Sequence, residues 1–207
     1  SDLGLKALAT SQRPGLKALR AHAGLDGAIA ADEVAWKLAP LINASGRLGS
    51  ALDNVQLLTT DDEAEATRLV AGLVEQNDER RRLTDLLTGD LVAEIDSNPV
   101  WQTRASLVFA GDGWHPGVVG IVASRLAERY GKPAAVIAIR DGEGRGSLRS
   151  AGGIHLGHAL DACREHLLKG GGHALAAGMT IACDRVDAFS QAFEAYVRGL
   201  HPGGLSP

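Results

Sequence analysis

From Thr60 to Asn98 the chain contains no proline, and Val70, Leu73, Val74, Leu87, Leu91 and Ile95 recur at helical spacing. Thr60–Asp61–Asp62–Glu63 has the form of a capping box ahead of this stretch, and Pro99 closes it. The pattern predicts one helix of about 35 residues and about 50 Å. An ordinary compact domain has no use for a helix of that length, so it is expected to connect two bodies. Arg80–Arg81–Arg82 falls in its middle and reads as a solvated face.

The two flanks differ in pattern. Residues 1–30 are short amphipathic stretches broken by Pro14, Gly15, Gly24 and Gly27. Val34, Leu38, Leu41 and Ile42 then form a helical stripe that Pro40 is expected to bend, and Leu52, Val55 and Leu58 suggest a further short helix. After Pro99, strands and helices alternate. Strands are expected at 105–110, 134–139, 146–151 and 179–182. Helices are expected at 118–130, along Leu156, Leu160, Cys163 and Leu167, and along Val186, Phe189, Phe193, Val197 and Leu200. The expected fold class is α/β with a mixed sheet, preceded by the long helix and a small helical segment. The expected boundaries are 1–59, 60–98 for the helix, 99–201 for the α/β domain and 202–207 for a disordered tail.

At 207 residues and 45% hydrophobic composition the chain can bury a core. Aromatic residues are only 4% and the net charge is −4, which argues against a general nucleic-acid binder that stacks many bases. The charge is uneven. Residues 104–183 carry nine Lys and Arg against six Asp and Glu, a net +3, so the rest of the chain carries −7. Cys163 and Cys183 form neither a zinc pattern nor a disulfide framework, and Cys163 sits on an apolar helical stripe as a reduced core thiol. No apolar run approaches 18 residues and no signal peptide is evident, so a cytoplasmic protein without a membrane partner is expected. Starting at Ser1 and ending in Pro202–Gly203–Gly204–Leu205–Ser206–Pro207, the sequence reads as a piece of something longer.

The +3 segment holds two anion-binding candidates. Gly170–Gly171–Gly172–His173 offers three backbone N–H groups without side chains and an imidazole, a composition suited to cradling a phosphate or carboxylate. Gly144–Arg145–Gly146–Ser147–Leu148–Arg149–Ser150 offers guanidinium forks and hydroxyl donors. On a strand Arg145, Ser147 and Arg149 share one face. Between a strand end and a helix start, Trp114–His115–Pro116–Gly117 occupies a junction where backbone N–H groups line a crevice. There His115 can contact a substrate, and Trp114 either packs the loop or joins it. Asn43 and Arg47 share one helical face if the helix continues past Pro40, although Gly46 argues for an end there. His155 and His158 are three apart at a helix start, but with no third ligand nearby they read as solvated; that helix N-terminus is a further anion candidate. No cluster of carboxylates could hold two metal ions.

The order and spacing of Gly111–Asp112–Gly113–Trp114–His115–Pro116–Gly117, Gly144–Ser150 and Gly170–Gly178, together with Leu38–Arg47 upstream, resemble the RecJ exonucleases of the DHH phosphoesterase family. The resemblance covers roughly residues 3 to 200, and the Trp114–Gly117 block is its most specific part. It implies that residues 1–59 are the tail of a DHH catalytic domain and 99–201 a DHH-associated domain. Its implied activity is 5′-to-3′ hydrolysis of single-stranded DNA in repair and recombination. Ser147 and Arg149, with Gly171, Gly172 and His173 alongside, would then receive the 5′-terminal phosphate. Asn43 and Arg47 would face the cleft and hold the substrate backbone. The family's metal centre needs Mn²⁺ or Mg²⁺, and its Asp–His–His motif is absent from this sequence, as is the OB domain that usually follows. The implied fragment is therefore a substrate-gripping one that binds no metal and is inactive alone, with the missing DHH and OB domains and single-stranded DNA as partners. Two other readings remain: another DHH phosphodiesterase acting on oligonucleotides or cyclic dinucleotides, and an adaptor that docks through an uncovered apolar stripe on the long helix.

Overall fold

In the computed structural model, residues 2–151 and 153–200 are described; the expected tail at 202–207 lies outside them. The chain divides into two compact units between Arg82 and Leu83.

The first unit is helical: α1 (Asp2–Thr10), α2 (Pro14–Ala23), α3 (Ala31–Glu33), α4 (Ala39–Leu48), α5 (Ala51–Thr59) and the start of α6 (Glu63–Ser97). Its core gathers Leu19, Leu25, Ile29, Leu38, Leu41, Leu57, Leu69, Val70 and Leu73. Pro40 does not interrupt the helix, because it sits in the first turn of α4, where its missing N–H costs nothing. The disturbance falls just before it, where Val34–Leu38 widen into a π-turn. Helix α4 also runs through Gly46, so Asn43 and Arg47 do share a helical face, and both are exposed. In α5 the expected stripe is inverted: Leu57 is buried while Leu52 and Val55 are exposed.

Helix α6 spans 35 residues, as its pattern predicts. Its cap is Asp62 rather than Thr60, since Asp62 Oδ1 accepts from the Ala64 and Glu65 N–H groups at 2.7 and 3.0 Å. Val70 and Leu73 are buried in the first unit, and Leu87, Leu91 and Ile95 in the second. The apolar stripe is therefore covered by the chain itself, which removes the feature the adaptor reading requires. Within the arginine run, Arg82 pairs with Glu79 and Arg80 donates to Asn77 Oδ1.

The second unit is a three-layer α/β body. After α7 (Pro99–Thr103) come β1 (Leu107–Asp112), α8 (Val119–Tyr130), β2 (Ala134–Arg140), β3 (Glu143–Arg149), α9 (Leu156–Ala162), β4 (Lys169–Gly172), β5 (Ala176–Ala182) and α10 (Val186–Leu200). The sheet order is β1-β2-β3-β5-β4. The β1–β2 pair is parallel and the other pairs are antiparallel, as the mixed-sheet expectation requires. Asp141 and Gly142 join β2 to β3 with φ of 52° and 78°, the left-handed pair a two-residue hairpin turn needs. One sheet face packs Val108, Ile137, Leu148, Met179 and Ile181 against Leu156 and Leu160 of α9 and Phe189, Phe193 and Val197 of α10. On the other face α8 packs against β2 and β3 and leaves β5 and β4 uncovered. Cys163 is buried, and burial pushes its thiol up to about 11, an inert core residue. Among the described residues no helix is long and apolar enough to cross a membrane.

Glu194 ties α10 to the strand entering the sheet. It is 13% exposed and accepts from the Ala105 N–H, the Ser106 N–H and the Ser106 hydroxyl at 2.9, 2.9 and 2.6 Å. Burial raises its pKa, but these bonds and Arg104 outweigh burial and hold it below the ordinary carboxylate value. A carboxylate with a depressed folded pKa stabilises above its unfolded value and loses that contribution as pH falls. Glu194→Gln is therefore expected to flatten the loss of folding free energy expected of the native chain below about pH 5. Glu194→Ala is expected to cost about 2–3 kcal/mol at neutral pH by stranding buried donors; urea unfolding across pH 3–7 measures both.

Candidate functional site

Strand β3 sorts its residues by strict alternation. Gly144, Gly146 and Leu148 are buried on the core side, while Glu143, Arg145, Ser147 and Arg149 lie toward the other face. The register carries this alternation across the sheet in rows. One row runs Val136, Ser147, Gly178, Gly171. The next runs Ala134, Arg149, Ala176, and Ala176 O accepts from the His173 N–H at 2.8 Å. A third runs Gly111, Ala138, Arg145, Thr180, Lys169. Arg145, Ser147 and Arg149 therefore share a face, as the spacing predicts, and Gly171 and His173 stand across β5 from Ser147 and Arg149.

The glycine run is not a loop. Gly170, Gly171 and Gly172 are the body of edge strand β4, paired to β5. Their backbone is extended, so they form no nest of convergent N–H groups. They contribute differently: Gly171 keeps the outer surface low, while Gly170 and Gly172 face the core side, where a side chain has no room. A Cβ at Gly171 would stand in open space, whereas one at Gly172 would meet Ala177 Cβ at 2.5 Å. Composition does not separate the two arrangements, because glycine's lack of a side chain is equally compatible with a nest and with a stripped edge strand.

The N-terminus of α9 is closed as an anion site. Its first N–H groups, on Leu156 and Gly157, donate to Ala174 O and His173 O at 3.0 and 3.2 Å. His158 N–H donates to His155 Nδ1 at 3.3 Å, and the two imidazoles stack with centroids 3.9 Å apart. These donors hold the turn after β4 in place instead of meeting a ligand.

Helix α8 begins differently. Its cap position, Val118, has no side-chain acceptor to offer. The Gly117 N–H donates to His115 Nδ1 at 3.0 Å, and the Val118 N–H to His115 O at 3.1 Å. Because Nδ1 accepts, the proton of neutral His115 is on Nε2. Gly120, in the first turn, lies directly over β3: a Cβ there would stand 3.0 Å from Arg149 Nη2 and 3.3 Å from Ser147 Oγ. A guanidinium, a hydroxyl and a helix N-terminus thus converge. Two positive groups meet there, an arrangement that an oxyanion neutralises.

Trp114 is laid on Gly111, where a Cβ would come within 2.3–2.7 Å of the indole. This packing and a cleft of about 740 Å³ coincide: Trp114, His115, Ala138, Arg140, Glu143 and Arg145 all line it. Thr180 and Lys169, which the motifs do not single out, complete the Arg145 row. A signal for them exists in the sequence, because Lys169 stands two residues before Gly171 and so shares its side of β4. Asn43 and Arg47 belong to the first unit, on the exposed face of α4.

With this geometry in place, the family is clear. Residues 103–199 match the DHHA1 domain. Over 189 residues, 90% of this chain, the sequence is 40% identical to the single-stranded-DNA-specific exonuclease RecJ of Bacillus subtilis (strain 168). It is 37% identical over 193 residues to RecJ of Thermus thermophilus. The crystal structure of Thermus thermophilus RecJ in complex with Mn²⁺ superposes with a TM-score of 0.84 at 36% identity, covering 95% of this chain and 28% of that one. Residues 103–199 belong to the DHHA1 domain family. The chain is a relative of RecJ, spanning 24% of the Bacillus subtilis protein and 35% of the Escherichia coli one. RecJ from Thermus thermophilus has been solved with Mn²⁺ and with Mg²⁺. Among the residues described here, no group of three or more His, Cys, Asp or Glu side chains could hold a metal ion.

Gly111→Ala is expected to drive the Trp114 ring off its seat. Overpacking of this kind costs about 1–3 kcal/mol, so thermal unfolding should show a lowered midpoint, and Trp114 emission should shift to the red.

Proposed function

We propose that this chain is the substrate-gripping part of a 5′-to-3′ exonuclease acting on single-stranded DNA in repair and recombination. The observation that carries the reading is the convergence of Arg149 Nη2 and Ser147 Oγ on the first turn of α8 at Gly120. A terminal phosphate is the ligand this convergence suits. It brings charge for the guanidinium fork and the helix N-terminus together, and oxygens enough for the serine hydroxyl as well. Gly171, across β5 from Ser147, keeps the neighbouring strand from obstructing the phosphate, Gly172 follows it in β4, and His173 stands at the end of the Arg149 row. His115, through Nε2, is a donor to the substrate at the mouth of the crevice. Asn43 and Arg47 grip the backbone from the tail of the catalytic domain, residues 1–59. Residues 60–98 join it to the substrate-binding domain, 99–201.

In this reading hydrolysis depends on Mn²⁺ or Mg²⁺ held by parts of the enzyme other than these residues, and the OB domain extends the DNA path. The chain alone is then expected to release no nucleotides from single-stranded DNA with Mn²⁺; activity that survives rigorous purification would sink the assignment of chemistry elsewhere.

The phosphate reading has a sharper test. A charge-assisted contact of this type contributes about 1.5–3 kcal/mol, or roughly 10- to 150-fold in affinity. Arg149→Ala in the complete enzyme should weaken binding of 5′-phosphorylated DNA by that factor and of 5′-hydroxyl DNA far less. The measurement is the ratio of the two dissociation constants at fixed salt. An unchanged ratio would remove Arg149 from the end-reading role.

A further inference from the structure

The third cross-strand row, at the Trp114 cleft, takes no part in the terminal-phosphate grip. It lies two residues along β3 from the Ser147 row, about 6.7 Å, which matches the advance of an extended nucleic-acid chain per nucleotide. Across it stand the Trp114 ring on Gly111, the small Ala138, then Arg145, Thr180 and Lys169. Arg145 and Lys169 are exposed. They flank Thr180 from adjacent strands, each about 4.8 Å away at the backbone. The acidic groups of the neighbourhood, Asp112, Asp141 and Glu143, line the cleft beside Trp114 and Arg145, while Lys169 lies beyond Thr180 on the other side. This asymmetry assigns the two ends. A phosphate fits over Thr180, between two cations and away from the carboxylates. The cleft, with an indole for a wall, fits the uncharged base and sugar.

We propose that this row is a second nucleotide subsite of single-stranded DNA, with Arg145 and Lys169 holding the first internucleotide phosphate and Trp114 stacking the attached base. The proposal rests on the reading that Arg149 and Ser147 hold the terminal phosphate, and it gives the strand a direction: from the α8 N-terminus toward the β2–β3 turn.

The test uses this chain with two ligands, thymidine 5′-phosphate and a 5′-phosphorylated thymidine trinucleotide, titrated by NMR at fixed salt. Arg145→Ala and Lys169→Ala, both at exposed positions, are each expected to weaken the trinucleotide at least fivefold and to leave the mononucleotide unchanged. The double variant should lower the salt slope for the trinucleotide by about 0.7. Trp114→Leu should weaken the trinucleotide alone. A trinucleotide with a neutral methylphosphonate at the first internucleotide position should bind the native chain as weakly as the unmodified ligand binds the double variant. If Arg149→Ala weakens both ligands while Arg145→Ala and Lys169→Ala weaken neither, the second subsite is wrong and the terminal-phosphate reading stands. If Arg145→Ala and Lys169→Ala weaken the trinucleotide while Arg149→Ala changes nothing, the row is a phosphate site in its own right and the terminal-phosphate reading falls. Equal weakening of the mononucleotide, or no measurable binding of the trinucleotide by the native chain, would overturn the proposal.

Discussion

The pairing of β3 between β2 and β5 is the constraint from which the rest of the second unit follows. Because side chains alternate with a period of two, one register places Leu148 in the core and Ser147 and Arg149 on the opposite face. A slip of a single residue would bury both guanidinium groups of β3 beneath α9 and α10 and expose Leu148. Burying unpaired charge is costly enough that the register is strongly specified. The Asp141–Gly142 turn pins one side, since a two-residue hairpin leaves β2 and β3 no freedom to slide.

Glycine then plays two opposite parts in the same sheet. At Gly111 and Gly120 a missing side chain admits a functional group: the Trp114 ring in one case, the Arg149 and Ser147 heads in the other. At Gly171 it admits nothing, and the surface is simply left open. The face of β5 and β4 that α8 leaves uncovered therefore carries small residues, with Arg149 of β3 beside one end and Arg145 and Lys169 at the other. Such a surface suits a ligand whose charges are spaced along its length.

The two helix N-termini nearest this trough illustrate how local context decides chemistry. Both follow a histidine, and in both that histidine's Nδ1 accepts a backbone N–H. At α9 the first-turn donors are consumed by carbonyls of the turn after β4. At α8 the first turn instead faces Ser147 and Arg149. The same capping device thus stabilises a turn in one place and leaves a positive helix end beside a guanidinium in the other.

Much of this was legible in the sequence. The proline-free stretch and its apolar spacing specify α6, and alternation along Arg145, Ser147 and Arg149 specifies a shared face, because both are properties of backbone period alone. Other features depended on which segments pair and were not legible. Whether Gly170–Gly172 formed a nest or an edge strand turned on the availability of β5 as a partner. Whether the α9 N-terminus was open turned on where the chain after β4 returned. The burial of Leu57 in place of Leu52 and Val55 turned on which side of α5 met α2 and α4. Sequence by itself determined the periods, the turn chemistry and the residue types able to meet a phosphate. Only the tertiary structure decided which of those residues share a row, because cross-strand neighbours far apart along the chain are chosen by the burial of the whole sheet.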